Sequence, residues 1–274
     1  LQSKFVEHEQ DLPDPQHFGI ELEYIFAPDV DKMACIAYLM RQDVLTYDDL
    51  RQNTLSTYGM NASFLQMEPM KPDGENDEIV FTPMSLLAAQ ALVPHFDVLF
   101  ASLKLQGYEP WGPMSEIGMH ISVDRDKVTG EQLNRFAWWL FENNSVFKYL
   151  SGRTNWGTTR SDIRYLLGDT YRTWSKDVLR DRATDQFDLL RSAYDNYMNI
   201  DIIGIRTYTN TPYTQFTQFG STLKSSELLS KIEFVDALLA WVFDYNDTDP
   251  HNFIKSVKET THPNLYDSLK SLNI

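Results

Sequence analysis

Phe18-Gly19-Ile20-Glu21-Leu22-Glu23-Tyr24 alternates residue by residue, with Phe18, Ile20, Leu22 and Tyr24 on one side and Gly19, Glu21 and Glu23 on the other. That period of two predicts a strand with one buried face. Glu21 and Glu23 then share the polar face, with Cα atoms about 6.6 Å apart at a strand's rise per residue. Two carboxylates so close repel each other unless water or a cation lies between them. A hard divalent ion with oxygen ligands, Mg²⁺ or Mn²⁺, suits the spacing. The alternative is an antiparallel strand whose polar face is simply in water.

Two more stretches carry the same signature. Lys71-Pro72-Asp73-Gly74 is a turn signal between strands predicted at Ser63 to Met67 and Glu78 to Thr82. Gly118-Met119-His120-Ile121-Ser122-Val123-Asp124 sets His120, Ser122 and Asp124 opposite Met119, Ile121 and Val123. Ile200 to Tyr208 and Tyr213 to Phe219 read as two strands joined around Asn210-Thr211-Pro212.

Helical periodicity fills the intervals. Helices are predicted at Asp29 to Gln42, at Thr46 to Thr57, and from Ser85 to Leu105, where Pro94 kinks or divides the helix and Gly107 closes it. Thr129 followed by Gln132 has the form of a capping box that opens an aromatic-rich helix, Glu131 to Leu150. Ser225-Ser226-Glu227 opens an amphipathic helix whose Leu228, Leu229, Ile232, Val235, Leu238, Leu239 and Val242 form a core stripe, and Asp249-Pro250 starts another. Trp138, Trp139 and Trp241 read as core or interface aromatics. Ser151 to about Arg182 has no clear period and reads as a long ordered loop with short helices. Strands interspersed with long helices, without regular βαβ units, predict an α+β fold: a mostly antiparallel, curved sheet with long helices packed on one side. No linker divides the chain, so an N-terminal extension, 1–17, and one domain, 18–274, are expected.

Composition narrows the function. Of 274 residues, 39 are Asp or Glu and 24 Lys or Arg, a net charge of −15, which argues against nucleic acid or an anionic membrane as partner and favours cations. The stretch from Ser151 to Arg191 departs from that balance, with eight Lys/Arg against six Asp, and reads as a phosphate contact or as a solvated face of paired charges. The single Cys35 excludes an internal disulfide framework and a multi-Cys zinc site, which fits a reducing compartment. Leu1 to Gln16 is acidic and polar, unlike a signal peptide, and the apolar runs Leu86 to Val93 and Ala237 to Phe243 fall far short of the ~18 residues that span a bilayer, so a soluble protein is expected.

Taken in order, these motifs resemble the amidoligase branch of the glutamine synthetase-like carboxylate-amine ligases, a type often encoded by bacterial viruses. Phe18-Gly19-Ile20-Glu21-Leu22-Glu23 resembles that family's first-strand metal motif. Asp73-Gly74 with Glu78-Ile79-Val80-Phe81-Thr82-Pro83 is similar to its Asp, then Glu-hydrophobic-hydrophobic-Ser/Thr-Pro segment. Gly118-Met119-His120-Ile121-Ser122-Val123 resembles its Gly-x-His-Val-His strand, with Ser122 where a second His is common. Gly220-Ser221-Thr222-Leu223, running into Glu233-Phe234-Val235-Asp236-Ala237-Leu238, resembles its C-terminal turn and helix. The resemblance spans Phe18 to Phe243.

The resemblance implies a glutamine synthetase-like catalytic domain. It implies ATP as cofactor with Mg²⁺ or Mn²⁺ held by Glu21, Glu23, Glu78 and His120, and amide or peptide-like bond formation through an acyl phosphate between a carboxylate- and an amine-bearing small molecule or peptide. One departure stands out. Where the family shows Glu-Phe-Arg, its Glu a metal ligand and its Arg a phosphoryl contact, this chain has Gln215-Phe216-Thr217. Gln offers an uncharged carbonyl oxygen, and Thr cannot neutralise a phosphoryl oxygen as a guanidinium does. Arg153, Arg160, Arg164 or Arg206 would then have to supply the positive charge. The candidate sets are therefore Glu21, Glu23, Arg153 and Arg206 for catalysis, and Arg153, Arg160, Arg164, Gln215 and Thr217 for the nucleotide. An active ligase would work in the cytoplasm of a bacterial or phage-infected cell. The competing expectation is an inactive descendant kept as a binding or structural subunit with a protein assembly partner, in a virion if the domain was recruited there. A third is a metal-dependent hydrolase using the same carboxylates.

Overall fold

The computed structural model of the chain describes residues 16–26, 65–73, 76–105, 107–110, 118–153, 176–202, 204–209, 211–244 and 250–272. The helices expected at Asp29 to Gln42 and Thr46 to Thr57, together with Arg160 and Arg164, lie outside these residues. The chain packs as two units, Leu1–Ile121 with Gly220–Leu229, and Ser122–Phe219 with Ser230–Ile274. Both are α+β, and every strand pair of known register is antiparallel.

In unit 1 the strands are β1 (His17–Phe26), β2 (Leu65–Asp73), β3 (Asn76–Ser85), β4 (Tyr108–Glu109) and the first half of β5 (Gly118–Asp124), in the order β2-β3-β1-β5 with β4 on the end of β1. Phe18, Ile20, Leu22 and Tyr24 are fully buried, as their alternation predicts. Opposite them on β3 lie Met84, Phe81 and Ile79, facing Phe18, Ile20 and Leu22. Met84 and Phe81 are three apart yet share the core face, because the register shifts between Phe18 and Ile20, where β3 carries the extra residue: Thr82 and Pro83 lie across from Gly19 alone. β2 runs through Lys71 and Pro72 to Asp73, residues read from the sequence as a turn, and pairs Asp73 with Asn76 of β3.

The predicted helix from Ser85 divides into α1 (Leu86–Ala91) and α2 (Val93–Leu105). Ser85 caps α1, its Oγ accepting from Ala88 N–H at 3.1 Å. The interruption falls at Leu92, two residues before Pro94, as a residue without an N–H requires. Phe96 seats α2 on the sheet, edge to face with Phe81 at 5.5 Å. Segment 220–229 returns to this unit: the Tyr24 hydroxyl, buried on β1, donates to Thr222 O at 2.9 Å.

Unit 2 holds the second half of β5, a 3₁₀ turn (Arg125–Lys127), α3 (Gly130–Glu142), α4 (Asn144–Ser151), α5 (Lys176–Asp195), β6 (Ile200–Ile202), β7 (Ile205–Thr207), β8 (Tyr213–Gly220), most of α6 (Ser225–Asp244), α7 (Pro250–Ser256) and α8 (Pro263–Lys270). Its strand order is β5-β8-β7-β6. The capping box is present in full: Thr129 Oγ1 accepts from Gln132 N–H and Gln132 Oε1 from Thr129 N–H.

Three expectations are corrected here. The helix expected from Glu131 to Leu150 breaks at Asn143, which leaves the helical region at φ −115°, ψ 30° while its side chain and its backbone N–H both donate to Trp139 O. Ile200 to Tyr208 is a hairpin and not one strand, because Gly204 at φ +73° reverses the chain. The loop read as reaching Arg182 is helical from Lys176, a helix of weak amphipathic contrast stapled to α3 through Phe187 against Trp138 at 4.9 Å. The core is aromatic: Phe216 packs on Phe136, Phe219 on Phe147 and Phe234, and Trp139 on Phe234 and Phe253. Phe216 and Phe219 both meet helices although three residues separate them, so the alternation of β8 breaks between them.

Candidate functional site: a carboxylate and histidine face on unit 1

The polar face of β1 meets those of β3 and β5. Antiparallel register puts Glu23 directly opposite Glu78, and Glu21 opposite Val80. Both Glu23 and Glu78 are 7% exposed, so two acidic residues share one cross-strand position away from bulk water. Like charges in that relation repel. The row extends outward, because β2 sets Lys71 opposite Glu78. From β5, His120 comes between the two β1 carboxylates: its Nδ1 lies 3.2 Å from Glu21 Oε2 and its Nε2 3.5 Å from Glu23 Oε1. The other Glu23 oxygen, Oε2, accepts from Gly118 N–H at 2.6 Å.

This fixes what each group can do. With Oε2 held by a backbone amide, Glu23 presents Oε1 alone toward the imidazole. Which ring nitrogen of His120 donates to the carboxylate beside it depends on the tautomer. The four residues expected as metal ligands are thus brought to one face, three strands contributing. In composition, three carboxylates and an imidazole fit a divalent cation of the Mg²⁺ or Mn²⁺ kind. In arrangement they do not yet converge: no group of three or more His, Cys, Asp or Glu among the described residues is disposed to hold a metal ion. His120 is turned onto the carboxylates themselves.

The remaining candidates lie in unit 2. Arg153, just past the end of α4, donates from Nε to Phe219 O at 3.2 Å and from Nη2 to Thr217 O at 3.0 Å. Arg206 on β7 stands directly opposite Gln215 on β8. Two guanidinium residues therefore border the Gln215-Phe216-Thr217 segment. Thr217 is buried, and its hydroxyl donates to Gly204 O at 3.2 Å.

Sequence reasoning missed three polar groups. Gly118 N–H orients Glu23, and its signal was the glycine that opens the histidine strand. Buried Glu233 accepts from Asn264 Nδ2 and Leu265 N–H, capping α8 from α6. Buried Arg125 donates to Thr207 Oγ1, Tyr208 O and Tyr194 O, and the rings of Tyr194 and Tyr197 lie 4.9 and 4.3 Å from its guanidinium carbon. Its Nε finds no acceptor among the described residues. Burial pushes the Tyr194 phenol up to about 12, against the opposing effects of the Thr214 hydrogen bond and the Arg125 charge.

Among the described residues no helix is long and apolar enough to cross a membrane. No family model matches the chain, and neither a curated protein nor a solved structure shows significant similarity to it.

Proposed function

We propose that the polar face of unit 1 is a divalent-cation site and that the chain is an ATP-dependent carboxylate-amine ligase with a glutamine synthetase-like fold. The observation that carries the cation site is the buried, directly opposed pair Glu23 and Glu78, with Glu21 and His120 beside it. When bound, a divalent cation neutralises phosphate oxygens during phosphoryl transfer. In this chain Glu23 would offer Oε1 while Gly118 keeps the carboxylate oriented, and Glu21 and Glu78 would complete the oxygen set once the His120 ring turns away from the carboxylates. The ligase half of the reading rests on the order of the four sequence motifs. Arg153 and Arg206, bordering Gln215-Phe216-Thr217, support it, since they supply positive charge where the family's arginine is replaced by Thr217.

A second reading has its own support. The Thr217 hydroxyl is committed to Gly204 O, and three of the four candidate ligands, Glu21, Glu23 and His120, lie against one another, which suits a non-catalytic descendant used as a binding or structural module.

Thermal unfolding separates the two. Wild type and Glu23→Gln are compared in EDTA, in Mn²⁺, and in Mn²⁺ with a nonhydrolysable ATP analogue. The ligase reading expects a rise in Tm with Mn²⁺, a further rise with nucleotide, and neither in the variant. Ligand at 100 times its Kd contributes about 2.7 kcal/mol. A flat response to Mn²⁺ in the wild type would falsify the cation site, and a response to Mn²⁺ without one to nucleotide leaves a metal-binding module.

A further inference from the structure

Arg125 opens the 3₁₀ turn after β5 and is only 3% exposed, yet among the described residues no carboxylate pairs with it. Its partners are neutral. Nη1 donates to Thr207 Oγ1 and Tyr208 O, and Nη2 to Tyr194 O, which leaves over Nε–H and one N–H of Nη2. Nε is enclosed by protein and meets no acceptor. It shares with Nη2 the edge on which a guanidinium takes a carboxylate in two parallel bonds. A buried charge with that edge open is costly, because the group cannot shed its proton.

Of the residues that contact the guanidinium, Thr207 and Tyr194 are buried while Tyr197 and Tyr208 are exposed, so a molecule from solvent reaches it past one of these two tyrosines. Tyr197 is held there against backbone preference. Its N–H bonds to Tyr194 O and the Met198 N–H to Ala193 O, which closes α5 with the motif whose left-handed position favours glycine. A tyrosine stands in it at φ +55°, 57% exposed, with its ring 4.3 Å from the guanidinium carbon. Asn199 Oδ1 accepts from Thr209 N–H at 2.8 Å, so the segments bearing Tyr197 and Tyr208 lie side by side. Together they expose Tyr197, Met198 and Tyr208. A buried cation with an open donor edge, bordered by exposed apolar side chains, complements an anionic head on an apolar body. We propose that unit 2 binds a carboxylate carried on an apolar or aromatic body, its two oxygens on Nε and Nη2 of Arg125, once the Tyr197 ring swings aside. This site is independent of the cation site and of the ligase reading.

Benzoate is the probe, with benzamide as its neutral isostere and inorganic phosphate as a rival oxyanion. Each is titrated into the full chain to about 20 mM at constant ionic strength, following Tm and the ¹⁵N–¹H cross-peak of Arg125 Nε. Benzoate moves the cross-peak saturably and raises Tm, benzamide does neither, and phosphate binds about tenfold more weakly because it fits the apolar border poorly. Tyr197→Gly stays folded, since glycine takes φ +55° without strain, and binds benzoate roughly threefold tighter because no ring competes for the guanidinium. Arg125→Lys loses the response. Should the lysine variant fail to fold, wild type and Tyr197→Gly still decide. A cross-peak unmoved by benzoate in both of these, an equal response to benzamide, a preference for phosphate, or weaker binding by Tyr197→Gly each overturns the proposal.

Discussion

Buried charge is handled in two ways in this protein, one in each unit. In unit 2, Glu233 is fully buried and sits at the N-terminus of α8, accepting from Leu265 N–H and Asn264 Nδ2. Arg125, equally enclosed, donates to Tyr194 O near the C-terminus of α5. Each charge meets the helix end of opposite polarity, so backbone dipoles stabilise it in place. In unit 1, Glu23 and Glu78 face each other, and an imidazole stands between Glu21 and Glu23. Glu23 also takes a backbone donor, Gly118 N–H, on one oxygen, but its other oxygen faces His120 and its strand partner is a second carboxylate, and it is for this arrangement that a cation site is proposed.

The largest expected effect of breaking this contrast is in unit 2. Glu233→Ala leaves the buried Leu265 amide and the half-buried Asn264 side chain without their acceptor, and should destabilise by about 3 kcal/mol in chemical denaturation. Glu23→Gln should do the opposite in EDTA, changing stability by less than about 1 kcal/mol or raising it, because it removes one of two opposed carboxylates. A loss as large as that of Glu233→Ala would show that Glu23 is as structural as Glu233. Arg125→Met should cost about 2 kcal/mol by removing buried hydrogen bonds to Thr207 Oγ1, Tyr208 O and Tyr194 O, while Arg125→Lys recovers only part of it because an ammonium cannot reproduce the planar fork.

Gly204→Ala tests backbone and not charge. At φ +73° its Cβ would come within 2.7 Å of Gln218 Cγ, and a loss of about 1–2 kcal/mol is expected. The smallest effect lies on the surface. Partial desolvation raises the Glu131 carboxyl, but hydrogen bonds from Arg135 and Arg191 outweigh it and hold the group below its ordinary 4.5. A depressed folded pKa stabilises above the unfolded value, and that stabilisation is lost as pH falls below 4.5 through the folded value. Being exposed and screened, the pair contributes under about 1 kcal/mol, so wild type and Glu131→Gln should converge in acid and differ slightly at neutral pH.

How much of this was legible depended on distance along the chain. Phe18 to Tyr24, Gly118 to Asp124 and the Thr129–Gln132 capping box rest on local periodicity or on pairs three residues apart, and the structure keeps them. The break at Asn143 was not legible, because nothing in helix propensity separates a side chain that back-bonds to Trp139 O from one that faces water. The hairpin at Gly204 was hidden inside an apolar run whose one glycine was read as part of a strand. In the site, alternation gave the shared face of Glu21 and Glu23, but the opposition of Glu23 and Glu78 needed the register, and the Gly118 contact joins residues 95 apart. Glu233 passed as one more position on an amphipathic helix, since its partner lies 32 residues downstream.

The hydrogen bond from Tyr24 to Thr222 joins residues 198 apart and has a consequence for timing. Unit 1 consists of Leu1–Ile121 and Gly220–Leu229. At about 5–20 residues per second, a ribosome that has finished the first segment needs roughly 5–20 s more to deliver the second. During that interval Tyr24 lacks its acceptor and the strands of unit 1 wait unfinished. The nascent chain is therefore most exposed to chaperones and proteases while the middle third is being made, and unit 1, begun first, is completed late.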